Sequence, residues 1–195
     1  GLGDVYKRQY LDSNHSVYIF GGMGNESGDQ VIGRCYFHDF YKVDLQEMRV
    51  QKLWDISEGQ PNMVPAQDMV ILNDSCFYVL RYPESVSNSF LHLYRFSVED
   101  GSCHILGDSI PIYSDKITTN ARLYYNERQS RLFVTVQETS DDVSSKFSVY
   151  SLLFPPVSLE KYTANNGGGN ASHVWLVLVA AVVAVAGGSV WIVYK

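Results

Sequence analysis

The residues best suited to metal or nucleophilic chemistry are five histidines and three cysteines, and their spacing limits what they can do. His15, His38, His92, His104 and His173 form no HxH or HExxH pattern, and none pairs with a cysteine at ligand spacing. Cys35, Cys76 and Cys103 are odd in number and lack CxxC spacing, so at most one pair can bridge and they read as thiols. Glu138, Asp141, Asp142 and Asp39 are the carboxylates available for paired acid–base work. Asp141-Asp142 lie in ETSDDVSSK, a polar hairpin tip that reads as a solvated turn, and Asp39 precedes a strand where it can cap a turn. No GxSxG is present, and GGMGN follows a strand without opening a helix, the context a nucleotide site requires. The sequence therefore assigns no catalytic residue, no metal ligand and no cofactor.

One segment carries a polar set of another kind. Met23 to His38, MGNESGDQVIGRCYFH, is 16 residues long between two strands that a tight hairpin could join with far fewer. Long loops in compact repeats are functional or disordered. Asn25, Asp29, Gln30, Arg34 and Tyr36 make a set suited to contacts with a sugar or peptide; the same stretch also reads as a variable surface loop. Formal charge is −6 with acids and bases interspersed, which excludes the basic face that nucleic acid demands.

The elements that must position these residues are strands. Aromatic residues make up 13% of the chain, a composition that favours pleated sheet. VYIFGG (17–22), CFYVLRY (76–82) and RLFVTVQ (131–137) match in kind and start 59 and 55 residues apart, each after a turn cluster. A second aromatic strand follows each: DFYKVDL (39–45), FLHLYRFS (90–97) and KFSVYSL (146–152). Third strands follow in two units, VQKLWDI (50–56) and CHILGDS (103–109), and DMVILN (68–73) and ARLYYN (121–126) precede the later hairpins. Four strands per unit at this period predict an all-β chain, a partial β-propeller of about three four-stranded antiparallel blades at 10–60, 61–112 and 113–160 within a domain at 10–162. Three blades cannot close a ring, so the chain reads as the C-terminal part of a larger propeller.

The hydrophobic run before Gly21-Gly22, with Tyr41 and Trp54 beyond it, resembles the kelch signature. In kelch proteins the double glycine ends the second strand, where a Cβ would crowd the neighbouring backbone, and the aromatics pack between sheets. Only the first unit carries the full set; Arg81-Tyr82 and Gln137-Glu138 replace the glycines in the others. Together with the C-terminal segment below, the chain resembles membrane-anchored kelch or galactose-oxidase-like proteins of Bacteroidetes type. Likeness to galactose oxidase would imply a copper site of Tyr, Cys and His, and Cys35-Tyr36 beside His38 is the nearest match.

The ends add two expectations. DVYKRQ (4–9) looks like a translated sequencing adapter, which would set residues 1–9 apart from the fold. Val174 to Tyr194 holds no charge over 21 residues, and as a helix it would extend about 31 Å, enough for one transmembrane span. Trp175 at one end, and Trp191 and Tyr194 at the other, suit the membrane interfaces. Lys195 follows the span and the Gly/Asn-rich linker at 163–173 carries no Lys or Arg, which places the propeller on the extracytoplasmic (periplasmic) side and the C-terminus in the cytoplasm. The function expected is a single-pass, membrane-anchored module that binds a ligand or protein partner, a carbohydrate or peptide, as the sensor part of a larger signalling protein. The alternative is a carbohydrate-active propeller enzyme of oxidase or epimerase type with active residues on further blades.

Overall fold

Phe77 and Val79 of the run CFYVLRY turn to one side of their strand, Tyr78 and Leu80 turn to the other, and all four are buried. A strand covered on both faces must lie between two other layers. The computed structural model, which describes residues 8–11, 15–25, 33, 35–72, 75–83, 86–113, 119–141, 144–157 and 179–181, supplies them as three antiparallel sheets. In the first sheet β1 (Arg8–Leu11), β2 (Ser16–Gly24), β3 (Cys35–Asp44) and β4 (Arg49–Asp55) lie side by side in chain order. The second begins with two short strands, β5 (Met63–Pro65) and β6 (Val70–Ile71), that both pair with β7 (Cys76–Pro83). It continues through β8 (Ser89–Ser97) to β9 (Cys103–Ile112). The third runs β10 (Thr119–Asn126), β11 (Arg131–Asp141), β12 (Ser144–Leu153) and β13 (Val179–Ala181). The expectation of an all-β chain of antiparallel sheets holds.

Several boundaries differ from those expected, each for a local reason. β2 does not end at Gly21-Gly22; it continues to Gly24, and the glycines sit at a break in register instead of a stop. Gly21 has φ +52° and Gly22 φ +135°, so the chain bends there and resumes pairing at Gly22 with Phe37. The strand expected over 68–73 shrinks to Val70–Ile71, because Asp68 takes φ +70° and turns the chain. β1 includes Arg8 and Gln9, within the segment set aside as adapter; backbone pairing with Phe20 and Ile19 is largely indifferent to side-chain identity. The membrane span at 174–194 lies outside the described residues except Val179–Ala181. Those three pair with β12 as a strand, not a helix, satisfying backbone groups along its open edge. Among the described residues no helix is long and apolar enough to cross a membrane. The expected interface residues Trp175, Trp191, Tyr194 and Lys195, and the linker at 163–173, lie outside the described residues.

Aromatic rings fill the space between the first two sheets. Phe40 stacks on Phe77 with centroids 4.7 Å apart, and Phe20 meets Phe96 at 4.8 Å. Trp54 stacks over Phe40 at 5.0 Å, and its indole N–H donates to the Val98 carbonyl at 2.9 Å. The Trp54 ring is so close to the β8–β9 turn that a Cβ at Gly101 would lie 2.9 Å from it. Trp54 therefore packs between sheets, whereas on β3 the partner ring is Phe40; Tyr41 lies outside both buried clusters, under the Lys52 ammonium at 5.8 Å. The other face of the second sheet meets the third through Tyr78, Leu80, Leu91 and Leu93 against Leu123, Leu132, Val134 and Val136. On the surface these two sheets are tied by a fork in which the Arg122 Nε and Nη2 donate to the Asp68 carboxylate at 2.7 and 3.0 Å.

A Cβ at Gly21 would stand 2.8 Å from the Phe37 carbonyl oxygen, while one at Gly59, also at positive φ, would meet nothing within 4 Å. Gly21→Ala is therefore expected to destabilise the protein by about 2–4 kcal/mol and Gly59→Ala by about 1 kcal/mol, as read by urea denaturation. Equal losses would show that φ alone, and not the close carbonyl, makes Gly21 necessary.

Candidate functional site

The break in register at the double glycine reshapes β3. Phe20 pairs with Phe40 and Gly22 with Phe37, so two residues, His38 and Asp39, stand opposite Gly21 alone. Such a bulge re-aims side chains that a regular pleat would send to opposite faces. His38 and Asp39 are consecutive in sequence, yet both are buried, at 2% and 5% exposure. The chain after β4 wraps this point: the His38 N–H donates to the Ser57 hydroxyl at 2.8 Å, and the Ile56 N–H donates to the His38 carbonyl at 3.1 Å.

Arg81 approaches from the second sheet. It sits near the end of β7 opposite Pro65 and His92 and is 1% exposed. Its guanidinium lies over the Tyr94 ring at 4.8 Å and the Phe96 ring at 5.7 Å, cation–π contacts that offset part of the loss of water. The Tyr94 hydroxyl points to the Met63 sulfur at 3.7 Å. Among the described residues the Arg81 Nε and Nη2 have no hydrogen-bond partner, and neither has the Asp39 Oδ1. Burying such groups unpaired is costly, and in a native fold they call for an explanation.

Burial, and then the Arg81 charge, push the His38 pKa down to about 4, with the Tyr36 carbonyl and the Asp55 carboxylate acting the other way. His38 is thus a neutral imidazole at physiological pH. Burial also lowers the Arg81 pKa from its ordinary value and raises those of Tyr94 and Cys103, while the Arg81 charge works against both rises. Across β4, Asp55 is held at about 2 by the Lys52 ammonium, 2.5 Å away, and by Ser57.

These groups share one end of the sheets. β2 ends and β3 begins beside the 25–34 loop, and β7 ends at Pro83 on the same side, since Gly21 faces Pro65 across the sheet interface. Glu138, the remaining buried charged side chain among the described residues, lies at the corresponding end of the third sheet. It accepts the Tyr113 N–H at 2.6 Å, and the Tyr113 carbonyl accepts the Asn88 N–H at 3.2 Å, so its role is to staple the second sheet to the third. The opposite end is made of tight turns: Asp44 caps the β3–β4 turn through the Gln46 and Glu47 N–H groups, and Asn126 caps the turn before β11.

Of the residues expected to touch ligand, Asn25 closes the loop's neck, its side-chain amide donating to the Gly33 carbonyl at 3.1 Å. Tyr36 lies half-buried on β3 opposite Met23, and Met23, Gly24 and 35–38, expected within the loop, belong to β2 and β3. Asp29, Gln30 and Arg34 lie outside the described residues, as does Asp142. Asp39 is within a strand and buried, not a turn cap, because the bulge draws it in. The Cys35-Tyr36-His38 trio does not gather, since Cys35 is exposed and His38 buried; among the described residues no three His, Cys, Asp or Glu side chains converge as metal ligands. No disulfide joins Cys35, Cys76 and Cys103. The sequence reading passed over Arg81, although an arginine inside the apolar run CFYVLRY is itself a signal. No protein-family model matches the chain, and comparison with curated proteins finds no match.

His38 gives the site a pH signature. Its pKa is about 6.5 unfolded and about 4 folded, so the unfolded chain takes up the proton first as pH falls. Stability is full above about pH 6.5 and declines as pH drops towards 4, by up to about 3 kcal/mol. His38→Gln is expected to flatten that part of a urea-denaturation profile; an unchanged slope would place the titration elsewhere.

Proposed function

We propose that the three sheets are consecutive blades of a β-propeller, held outside a membrane by the 174–194 segment, that binds a ligand or protein partner at one end. Three features support the blade reading. Each sheet follows chain order from one edge to the other, neighbouring sheets pack face to face, and the middle sheet is buried on both faces. Support for the membrane comes from the uncharged 21-residue segment. The pairing of Val179–Ala181 along β12 is the competing place for that segment, and the two exclude each other.

One observation carries the recognition reading. Among the described residues, the buried His38, Asp39 and Arg81 lie at the end of the first two sheets where β2 gives way to β3, while the other end is closed by self-capped turns. A fold needs no buried charge for stability, and hydrophobic replacements are often neutral or better. Such groups collected at a loop-bearing end mark a recognition surface. Both His38 and Arg81 are too deeply buried to pass a proton to a substrate in this conformation, which favours binding over catalysis.

The test is binding of the full chain to glycan and peptide arrays, repeated after residues 25–34 are replaced by an Asn-Gly turn. The variant is expected to lose at least about tenfold in affinity for whatever the native chain retains, with Tm shifted by less than about 2 °C, as for a surface change. Unaltered binding, or no array ligand at all for the native chain, would count against recognition at this end. In cell fractionation the chain is expected to remain with membranes after alkaline carbonate washing and to be released when 174–194 is deleted. Release of the intact chain by the wash would leave the β12 pairing as the segment's place.

A further inference from the structure

Two arginines in this chain present the same pair of donors in opposite circumstances. The Arg122 Nε and Nη2, the two donors along one edge of the guanidinium, grip both oxygens of Asp68 at 2.7 and 3.0 Å on the surface. The Arg81 Nε and Nη2 form the same edge, buried at 1% exposure, with no partner for either. That edge matches a carboxylate in spacing and plane, and two parallel charge-assisted bonds are the strongest use it has. Arginine cannot escape its burial by losing the proton. Among the described residues the groups whose charge reaches it are Tyr94 and Cys103, neither of them a carboxylate.

The surroundings fit an anion further. The Tyr94 and Phe96 rings hold the guanidinium plane, which fixes its direction before anything binds. Neutral His38 is near enough to feel the Arg81 charge and carries one ring N–H without adding a second charge. β5 borders Arg81 at the edge of the sheet. β5 is three residues long, and its ladder to β7 sets Met63 against Pro83 and Pro65 against Arg81, so a proline lacking an N–H stands at each end. The Ala66 N–H continues this edge by donating to the Leu80 carbonyl at 2.8 Å, and a strand of three residues is still the part of the sheet that opens before its longer neighbours.

We infer that the Arg81 edge, with His38 beside it, is a receptor for the carboxylate of a compact organic acid or of an acidic group on a larger ligand, reached by displacement of β5. This deepens the recognition reading above by naming the chemistry of what is recognised, and it rests on that reading for the direction of approach. A free acid and a carboxylate on a peptide or acidic sugar share this chemistry, and the two arms of the test separate them.

The first arm is thermal unfolding of the full chain in sodium acetate against sodium chloride at equal ionic strength. Acetate is expected to raise Tm saturably, by about 5–10 °C well above half-saturation, and inorganic phosphate less, since its tetrahedral oxygens suit the planar edge less well. Arg81→Met, which removes the charge and keeps the bulk, is expected to match or exceed the native Tm in chloride and to lose the acetate response. Equal native Tm values in acetate and chloride, or an undiminished acetate response in Arg81→Met, would overturn the assignment. Should Arg81→Met not fold, Arg81→Lys keeps the charge without the fork and is expected to bind acetate at least tenfold more weakly; equal binding would overturn it. Saturation-transfer NMR on acetate reads this directly. In the second arm the peptide and glycan arrays are probed with acidic members and their amidated or esterified counterparts. Preference for the acidic forms that acetate abolishes assigns the carboxylate to a larger ligand; an acetate response without such preference assigns it to a free acid. Array binding that ignores both acidity and acetate would overturn the carboxylate assignment and leave recognition at the loop end standing.

Discussion

The structure depends on one constraint: the second sheet must hide both of its faces. β7 alternates Phe77 and Val79 with Tyr78 and Leu80, large apolar groups on either side of one pleat, and no two-layer arrangement could bury them all. The first sheet meets one side with a cluster of rings and the third meets the other mainly with aliphatic chains, joined by Tyr150 and Phe154. The two interfaces differ in composition. Stacked aromatic pairs contribute about 0.5–1.5 kcal/mol each beyond area burial, so the Phe20, Phe40, Trp54, Phe77 and Phe96 group also fixes the angle between the first two sheets.

The candidate site follows from how that packing is interrupted. The rings fill the interface until the level of Gly21, where the bulge on β3 brings in His38 and Asp39 and β7 contributes Arg81. From there to the loop end, polar groups replace apolar ones. The glycine pair thus links the fold to the site, for without a Cβ the chain can bend beside the Phe37 carbonyl, and the bend turns the two polar residues inward. The same interface thus holds rings towards the turn end and buried polar groups towards the other.

Much of this fold was legible in the sequence because alternation and aromatic content are local properties. The runs at 17–22, 76–82 and 131–137 all lie in β2, β7 and β11, and the second strand of each hairpin lies in β3, β8 and β12. What was missed depends on neighbours distant in the chain. β5 has a proline within it and no strand signature of its own; it exists because β7 offers an edge. The glycines read as a stop, since a bulge appears only when the opposite strand is counted. Arg81 stood out only as a replacement for a kelch glycine, since nothing adjacent in sequence reveals the Tyr94 and Phe96 rings beneath it. Asn25 and Tyr36 were visible as loop-end residues, but the buried donors behind them were not.

The most direct test of the central constraint is a proton NMR measurement of ring-to-ring contacts across the two faces of β7. Cross-relaxation is expected between Phe77 and Phe40, whose centroids are 4.7 Å apart, and between Tyr78 and Phe154, at 5.6 Å. Both contacts in one folded species place the second sheet between the other two. Contact on one side only, with the other ring open to solvent, would contradict the three-layer stack and the site built upon it.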